Sequence, residues 1–285
     1  METQIALQIV VNGLTAGAIY TLVALGLTLV FGIGRIFNFA HGEFYMLGAF
    51  VTYYGVELLH LSYWLSAILA MLLVALFGIA VEAIFFRRVR GQFHAPMIIA
   101  LGLTMMISCA ALVVFGREDK AIPMAVSGVI NIIGITISAE RVTVIIGTLI
   151  LLAGLFFFLQ GTKAGQALQA VAQDSEAAAV QGIDANRILS LSFAISGVLA
   201  GAAGALISPL FAINAFMGSA LIFKIAAIVI IGGMGSLPGA ILGGFFWGLT
   251  ESFAATFMGV NAQLIAFSAL VLVLLFRPRG FFGHE

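Results

Sequence analysis

The residues able to do chemistry in this chain are few, and most stand in or beside apolar runs. Asn38, His41 and Glu43 lie together in IFNFAHGEFYMLGAF (36–50), Glu82 comes just before Arg87, Arg88 and Arg90, Lys224 stands just inside another run, and Glu251 sits midway along a further one. Ionisable side chains at such positions are expensive in lipid, so each should face protein, water or a cavity, and each is a functional candidate. Asn38 and His41 are one helical turn apart and can share a face. His41 and Glu43 are two apart and point to different faces, which argues against a metal site built on the two. The single cysteine, Cys109, has no partner for a disulfide or a metal cluster and is read as packing. No span carries the acid and base pair that an intramembrane enzyme needs. No G-x-x-x-x-G-K-[ST] loop is present, so the chain has no nucleotide-hydrolysing site of the usual kind, and it is read as a non-enzyme.

The elements that must hold these residues are membrane helices. Apolar residues make up 62% of the 285 and charged residues only 8%, far below the roughly 25% of a soluble domain, so water is not the main solvent. Apolar runs recur along the whole length, which predicts one membrane domain over 1–285. Net charge is zero and no basic block is interleaved with aromatics, so nucleic acid is not a partner. The first run lacks a basic leader and is too long for a signal peptide. Spans are predicted near 5–31, 39–58, 62–86, 95–115, 142–159, 188–208, 219–234, 238–257 and 262–276. The expectation is an all-α, polytopic integral membrane bundle of 8 to 10 spans, with broken or re-entrant helices around Pro238.

Lys and Arg set the orientation, because cytoplasmic loops retain positive charge. With the N-terminus outside and nine crossings, Arg35, Arg87, Arg88, Arg90, Lys163, Arg187, Arg277 and Arg279 fall inside. Arg117, Lys120 and Arg141 fall outside, in a loop over 116–141 that also holds Glu118, Asp119 and Glu140. Many of the 33 glycines recur within spans, as at Gly197, Gly201 and Gly204, or Gly239, Gly243, Gly244 and Gly248. Small residues at this spacing let backbones approach closely where lipid supplies no hydrophobic force between helices.

The longest polar interruption on the inner side, 160–187, contains GTKAGQALQAVAQDSEAAAVQGIDANR and is predicted to fold as helix-turn-helix. Gly161 is assigned a left-handed cap, Ala164 to Gln173 a helix, Asp174 or Ser175 the N-cap of a second short helix ended by Gly182, and Asp184 the cap of the next span. Its alanine-rich surface, at Ala177 and Ala178, admits a partner protein at short range. The alternative is an amphipathic interfacial connector. The segment around Asn38, His41, Gly42 and Glu43 also has two readings. A helix broken at Gly42 would offer free N–H groups and a positive dipole end to an anionic group such as an amino-acid carboxylate. Otherwise the same residues bond neighbouring helices at a gate without touching substrate. In KIAAIVIIGGMGSLPGAILGG (224–244), Gly232, Gly233 and Gly235 permit a sharp elbow and Pro238 suits the opening of the next helix. Lys224 either snorkels to the outer surface, the simpler reading, or faces the pathway. Glu251 faces the bundle or a subunit contact.

Three of these stretches carry a resemblance. Gly165, Ala167, Ala170, Ala172, Asp174, Ala178, Gly182 and Ile183 resemble the cytoplasmic coupling loop of the permeases of ATP-binding-cassette importers, in the version of the branched-chain amino-acid family. The segment NFAHG and the late motif 224–244 are similar to segments of the same family, as is the ending LLFRPRGFFG. The resemblance covers most of the chain, with 116–141 weakly matched. It implies the permease fold of those importers, a bacterial cytoplasmic (inner) membrane location, and import of branched-chain or other neutral amino acids. It also implies a second homologous permease, two cytoplasmic ATPase subunits that carry the ATP and Mg, and a periplasmic substrate-binding protein, with no cofactor on this chain. ATPase coupling is implied at Gly165, Ala170, Asp174, Ala177, Ala178 and Gly182. Gln169 stands where the family usually has arginine, which removes an ionic contact there. Related permeases act on urea or short amides. From another class, an ion-coupled transporter or channel would need Glu43, Glu82 and Glu251 to coordinate an ion.

Overall fold

A computed structural model describes residues 2–92, 94–122, 128–132, 135–278 and 280–282, so Arg279 lies outside the described residues. The sequence folds into helices α1 (Glu2–Gly34), α2 (His41–Glu57), α3 (Tyr63–Val81), α4 (Ala95–Phe115), α5 (Ala139–Gly161), α6 (Lys163–Gln173), α7 (Ser175–Val180), α8 (Ala185–Ile207), α9 (Met217–Gly232), α10 (Leu237–Met258) and α11 (Ala262–Phe276). Among the described residues, five stretches, beginning at Gln4, Tyr63, Ala95, Ala139 and Ala185, are long and apolar enough to cross a membrane by length and composition. The shorter apolar helices α9 and α11, together with the glycine-rich α2 and α10, complete the bundle. The helical expectation holds, with one addition. Strands β1 (Val129–Ile132) and β2 (Ile135–Ser138) form an antiparallel hairpin, pairing Val129 with Ser138 and Ile130 with Ile137. Their β-branched composition suits a pleated pair better than a coil.

Two glycine seams assemble the bundle. On the first, α1 runs against α10: a Cβ on Gly248 would lie 2.4 Å from the Gly17 backbone nitrogen, and one on Gly244 would meet Thr21. On the second, α8 packs on α2 and α3, where a Cβ on Gly204 would lie 2.1 Å from Tyr45 O and one on Gly197 2.6 Å from Val74 O. Backbones this close gain dispersion contacts and leave no room for a side chain, which is how helices associate in a solvent as apolar as themselves. Away from the seams, Met105, Val113, Phe157 and Leu272 are exposed, as lipid-facing or partner-facing side chains must be.

One face of the bundle carries the ends of α1, α3, α5, α9 and α11 and most of the basic residues; the opposite face carries the hairpin. On the hairpin face, Lys120 and Ile213 exchange backbone hydrogen bonds of 2.9 and 2.8 Å, tying the α4–α5 loop to the α8–α9 loop. On the basic face, Phe281 and Phe282 donate their N–H groups to Ile231 O and Gly232 O, so the C-terminal tail satisfies carbonyls left open where α9 ends. The elbow lies beside it. Gly233 (φ +100) and Gly235 (φ +86) take left-handed conformations, the Ser236 hydroxyl accepts from Gly239 N at 3.2 Å, and Pro238 stands in the first turn of α10. Gly232 and Gly239 serve differently, bringing α9 and α10 into backbone contact.

Two local expectations change. Gly161 is the last residue of α5 rather than a left-handed cap; Thr162 follows it in extended conformation, and its hydroxyl accepts from Gly165 N at 3.0 Å, starting α6 without a glycine turn. The break near Gly42 falls earlier. Arg35 (φ +52) ends α1, residues 35–40 are not helical, and Gly42 lies inside the first turn of α2. A Cβ there would lie 2.3 Å from Gly218 O, so Gly42 is present for close approach to α9.

Candidate functional site

Between Gly34, which packs on Leu189, and His41, which reaches Ser196 seven residues further along α8, the chain rises about 10 Å without a helix. Helix α2 therefore begins inside the bundle. The Asn38 side chain accepts from Ala40 N at 3.1 Å, and His41 N and Glu43 N donate to Asn38 O and Ala40 O. The His41 ring spans the gap between two helices, with Nε2 3.0 Å from Val23 O on α1 and Nδ1 3.1 Å from Ser196 Oγ on α8. If Nε2 carries the proton, Nδ1 accepts from Ser196, and both contacts are satisfied at once. Asn38, His41 and Glu43 are all buried to within 1%.

Glu43 lies where the first turns of α2 and α9 meet. Its Oε2 sits over the Gly218 backbone, 2.8 Å from where a Cβ would be. Among the described residues neither carboxylate oxygen has a partner at hydrogen-bond geometry; the Ser108 hydroxyl on α4, likewise without one, is the polar group beside it. The place that the broken-helix reading reserved for a substrate carboxylate is thus filled by the protein's own. Two positive helix ends meet at this carboxyl, which lipid alone would not tolerate as a charge.

The open space is elsewhere. A cavity of about 740 Å³ is bounded by α1, α2, α9 and α10, with Arg141, Phe211 and Gln263 among the lining residues toward the hairpin face. On each long wall the lining residue furthest from that face is charged or phenolic: Tyr20 on α1, Lys224 on α9 and Glu251 on α10. These three touch. Lys224 Nζ lies 2.5 Å from Glu251 Oε1 and 3.3 Å from Tyr20 Oη, and Tyr20 donates to Glu251 Oε2 at 2.9 Å. The ammonium also stands 5.5 Å from the centroid of the Tyr20 ring. The snorkelling expectation for Lys224 is overturned: its side chain is only 16% exposed and turns inward, because pairing with Glu251 offsets a burial that would be costly for either charge alone.

On the basic face, α6 and α7 project between α5 and α8. Asp174 Oδ1 accepts from Glu176 N and Ala177 N at 2.9 and 3.0 Å, Gly182 (φ +83) ends α7, and Asp184 Oδ1 accepts from Asn186 N and Arg187 N. Gly165 and Ala178 are buried, Gly165 so tightly that a Cβ would lie 2.1 Å from Phe158 O, and Ala170 is half-buried. Ala177 and Gly182 are exposed, and so is Val180, at 86%. Gln169 donates to Leu159 O at 2.8 Å, stitching α6 to the end of α5 in place of an ionic contact. Nearby, Glu82 is held by Arg87 at 2.9 Å, by Arg90 and by Ser190 at 2.6 Å. Glu43, Glu82 and Glu251 therefore have separate surroundings and do not converge on one ion.

Sequence reasoning missed Tyr20, Val180, the Arg141–Asn12 hydrogen bond and the Glu82 cluster. Val180 was visible as the lone large apolar residue of an alanine helix. Tyr20 gave no signal, since it meets its partners across more than 200 residues.

Residues 9–276 match the model of the family described as branched-chain amino acid transport system / permease component. The chain belongs to that family. The permease is 35% identical over 98% of its length to the high-affinity branched-chain amino acid transport system permease protein BraD of Pseudomonas aeruginosa, covering 96% of that protein. It is 29% identical, at the same coverages, to LivH of Escherichia coli K12, which bears the corresponding description. A second permease protein of that bacterium, LivM, is 26% identical, with 93% of this chain and 68% of LivM covered. Among solved structures, PsaBC from Streptococcus pneumoniae in complex with Fab matches with a TM-score of 0.50 at 15% identity, over 94% of this chain and 91% of that one, a likeness of fold. The permease is a multi-pass membrane subunit with no catalytic role of its own.

Proposed function

We propose that this permease imports branched-chain or similar neutral amino acids as one membrane half of an ATP-driven importer. The basic face lies in the cytoplasm and the hairpin face receives a periplasmic binding protein. A second homologous permease completes the pathway, and two ATPase subunits, which bind the ATP and Mg, supply the motion. Helices α6 and α7 are the handle: Asp174, Gly182 and Asp184 fix their ends, Gly165 and Ala178 anchor them on the bundle, and Ala177 and Val180 meet the ATPase. Because α6 is stitched to α5 and α7 leads into α8, displacement of the handle tilts two membrane helices as rigid levers. The elbow over Gly232, Gly233, Gly235 and Pro238 and the His41–Glu43 junction hold the bundle closed beneath the cavity, and Lys224 and Glu251 lie on the path.

One coincidence carries this reading: a family match over 9–276 in a chain whose α6–α7 projection presents a bare alanine and valine surface on its basic face. Co-purification of the ATPases from membranes tests it. Val180→Asp or Ala177→Asp is expected to lose the ATPases while leaving permease abundance unchanged. Retention of both ATPases by the Val180→Asp/Ala177→Asp double variant would refute the handle.

A further inference from the structure

The cavity and its charged floor point to a specific chemistry, one that rests on the cavity lying on the import path. We propose that Lys224, Glu251 and Tyr20 form a site for a zwitterionic amino acid, the substrate carboxylate going to Lys224 Nζ and its α-ammonium to Glu251 Oε1. The volume, about 740 Å³, is that of a small-molecule site. Ile19, Ile207 and Leu221 give it an aliphatic wall, while Thr15, Ser252 and Arg141 lie on the way in.

The pair is built to open. Glu251 is gripped through its two oxygens by different partners, Oε1 by Lys224 and Oε2 by Tyr20. A substrate ammonium that displaces Lys224 from Oε1 leaves the carboxylate still held by the phenol. Lys224 is released together with the one group that can re-pair it, the substrate's carboxylate. One ion pair becomes two and the net charge in the membrane stays at zero, so no uncompensated charge is created at any stage. Both members are partly accessible, with 16% and 19% of their side chains exposed, whereas Glu43 is sealed. A cationic or anionic amino acid would bring an extra charge to this floor. Urea or a short amide has no charge with which to open the pair. The geometry therefore selects for zwitterions with aliphatic side chains independently of any binding protein.

The test uses the complete importer in proteoliposomes. Absence of ATP-driven leucine uptake by the wild-type complex would be a failure of the importer reading itself, separate from the pair. Lys224→Met and Glu251→Gln alone are each expected to lower uptake at least tenfold. The double variant Lys224→Met/Glu251→Gln, which buries no unpaired charge, is expected to stay as low while its ATPase activity still responds to the loaded binding protein. Recovery of the double variant to near wild-type uptake would mean that the pair is only a clamp between α9 and α10, and would overturn the site. A second measurement leaves the pair intact. In a Cys109→Ser background without the binding protein, a thiol placed by Ala220→Cys, one turn from Lys224, should react with a membrane-impermeant reagent at least threefold more slowly in saturating leucine, but not in leucinamide or urea. Equal rates with and without leucine, or equal protection by leucinamide, would overturn the proposal.

Discussion

Glu251 and Glu43 are both carboxylates within apolar helices, yet the protein surrounds them in opposite ways. Glu251 is paired at 2.5 Å with a lysine, held by a tyrosine and turned toward open space. Glu43 has no exposure, no partner at hydrogen-bond geometry among the described residues, and two helix N-termini against it. A charge with a mobile counter-ion beside a cavity can exchange partners. A carboxyl set against fixed backbone dipoles cannot, because those dipoles have nowhere to go. The first arrangement suits a transport path, and the second suits a joint between helices that must keep its shape while the rest moves.

Placing a cation at the buried carboxyl gives the largest expected effect. Glu43→Lys sets a cation against two positive helix ends with no carboxylate in reach, a loss of about 3–5 kcal/mol; the permease should be missing from the membrane by immunoblot. His41→Ala removes the bonds to Val23 and Ser196 that join α1 to α8 and leaves a cavity, for about 2–3 kcal/mol, read as lower thermal stability of the solubilised protein. Glu251→Gln acts on the other side of the comparison: abundance should hold while leucine uptake falls at least tenfold, about 1.4 kcal/mol in the transport step. Glu43→Gln is the mildest, since a carboxamide keeps the shape and can donate to a neighbouring oxygen, and uptake should stay within about twofold. A Glu43→Gln variant as impaired in uptake as Glu251→Gln would erase the distinction between the two sites.

The helices were legible because most follow apolar runs, and their ends fall within a few residues of the expected ones. Caps were legible where the signal is local: Asp174, Gly182, Asp184 and Pro238 act within three residues of themselves. Gly161 was misread because Thr162, beside it, offers a competing cap that needs no left-handed residue. What the sequence hid depends on helix register. Lys224 meets Glu251 across 27 residues and Tyr20 across 204, and no spacing rule links positions on three different helices. The deep start of α2 was hidden for the same reason, since an apolar run does not say how far into the bundle its first turn lies. The hairpin escaped notice because short strands with three β-branched residues in four look much like the end of an apolar helix.

ATP dependence tests the account most directly. Labelled leucine uptake would be followed in proteoliposomes holding this permease and its partner permease, with and without the ATPase subunits, under trapped ATP or under sodium and proton gradients. The account predicts uptake only when the ATPases and hydrolysable ATP are both present, and none from either gradient alone. Gradient-driven uptake by the permeases without the ATPases would contradict it.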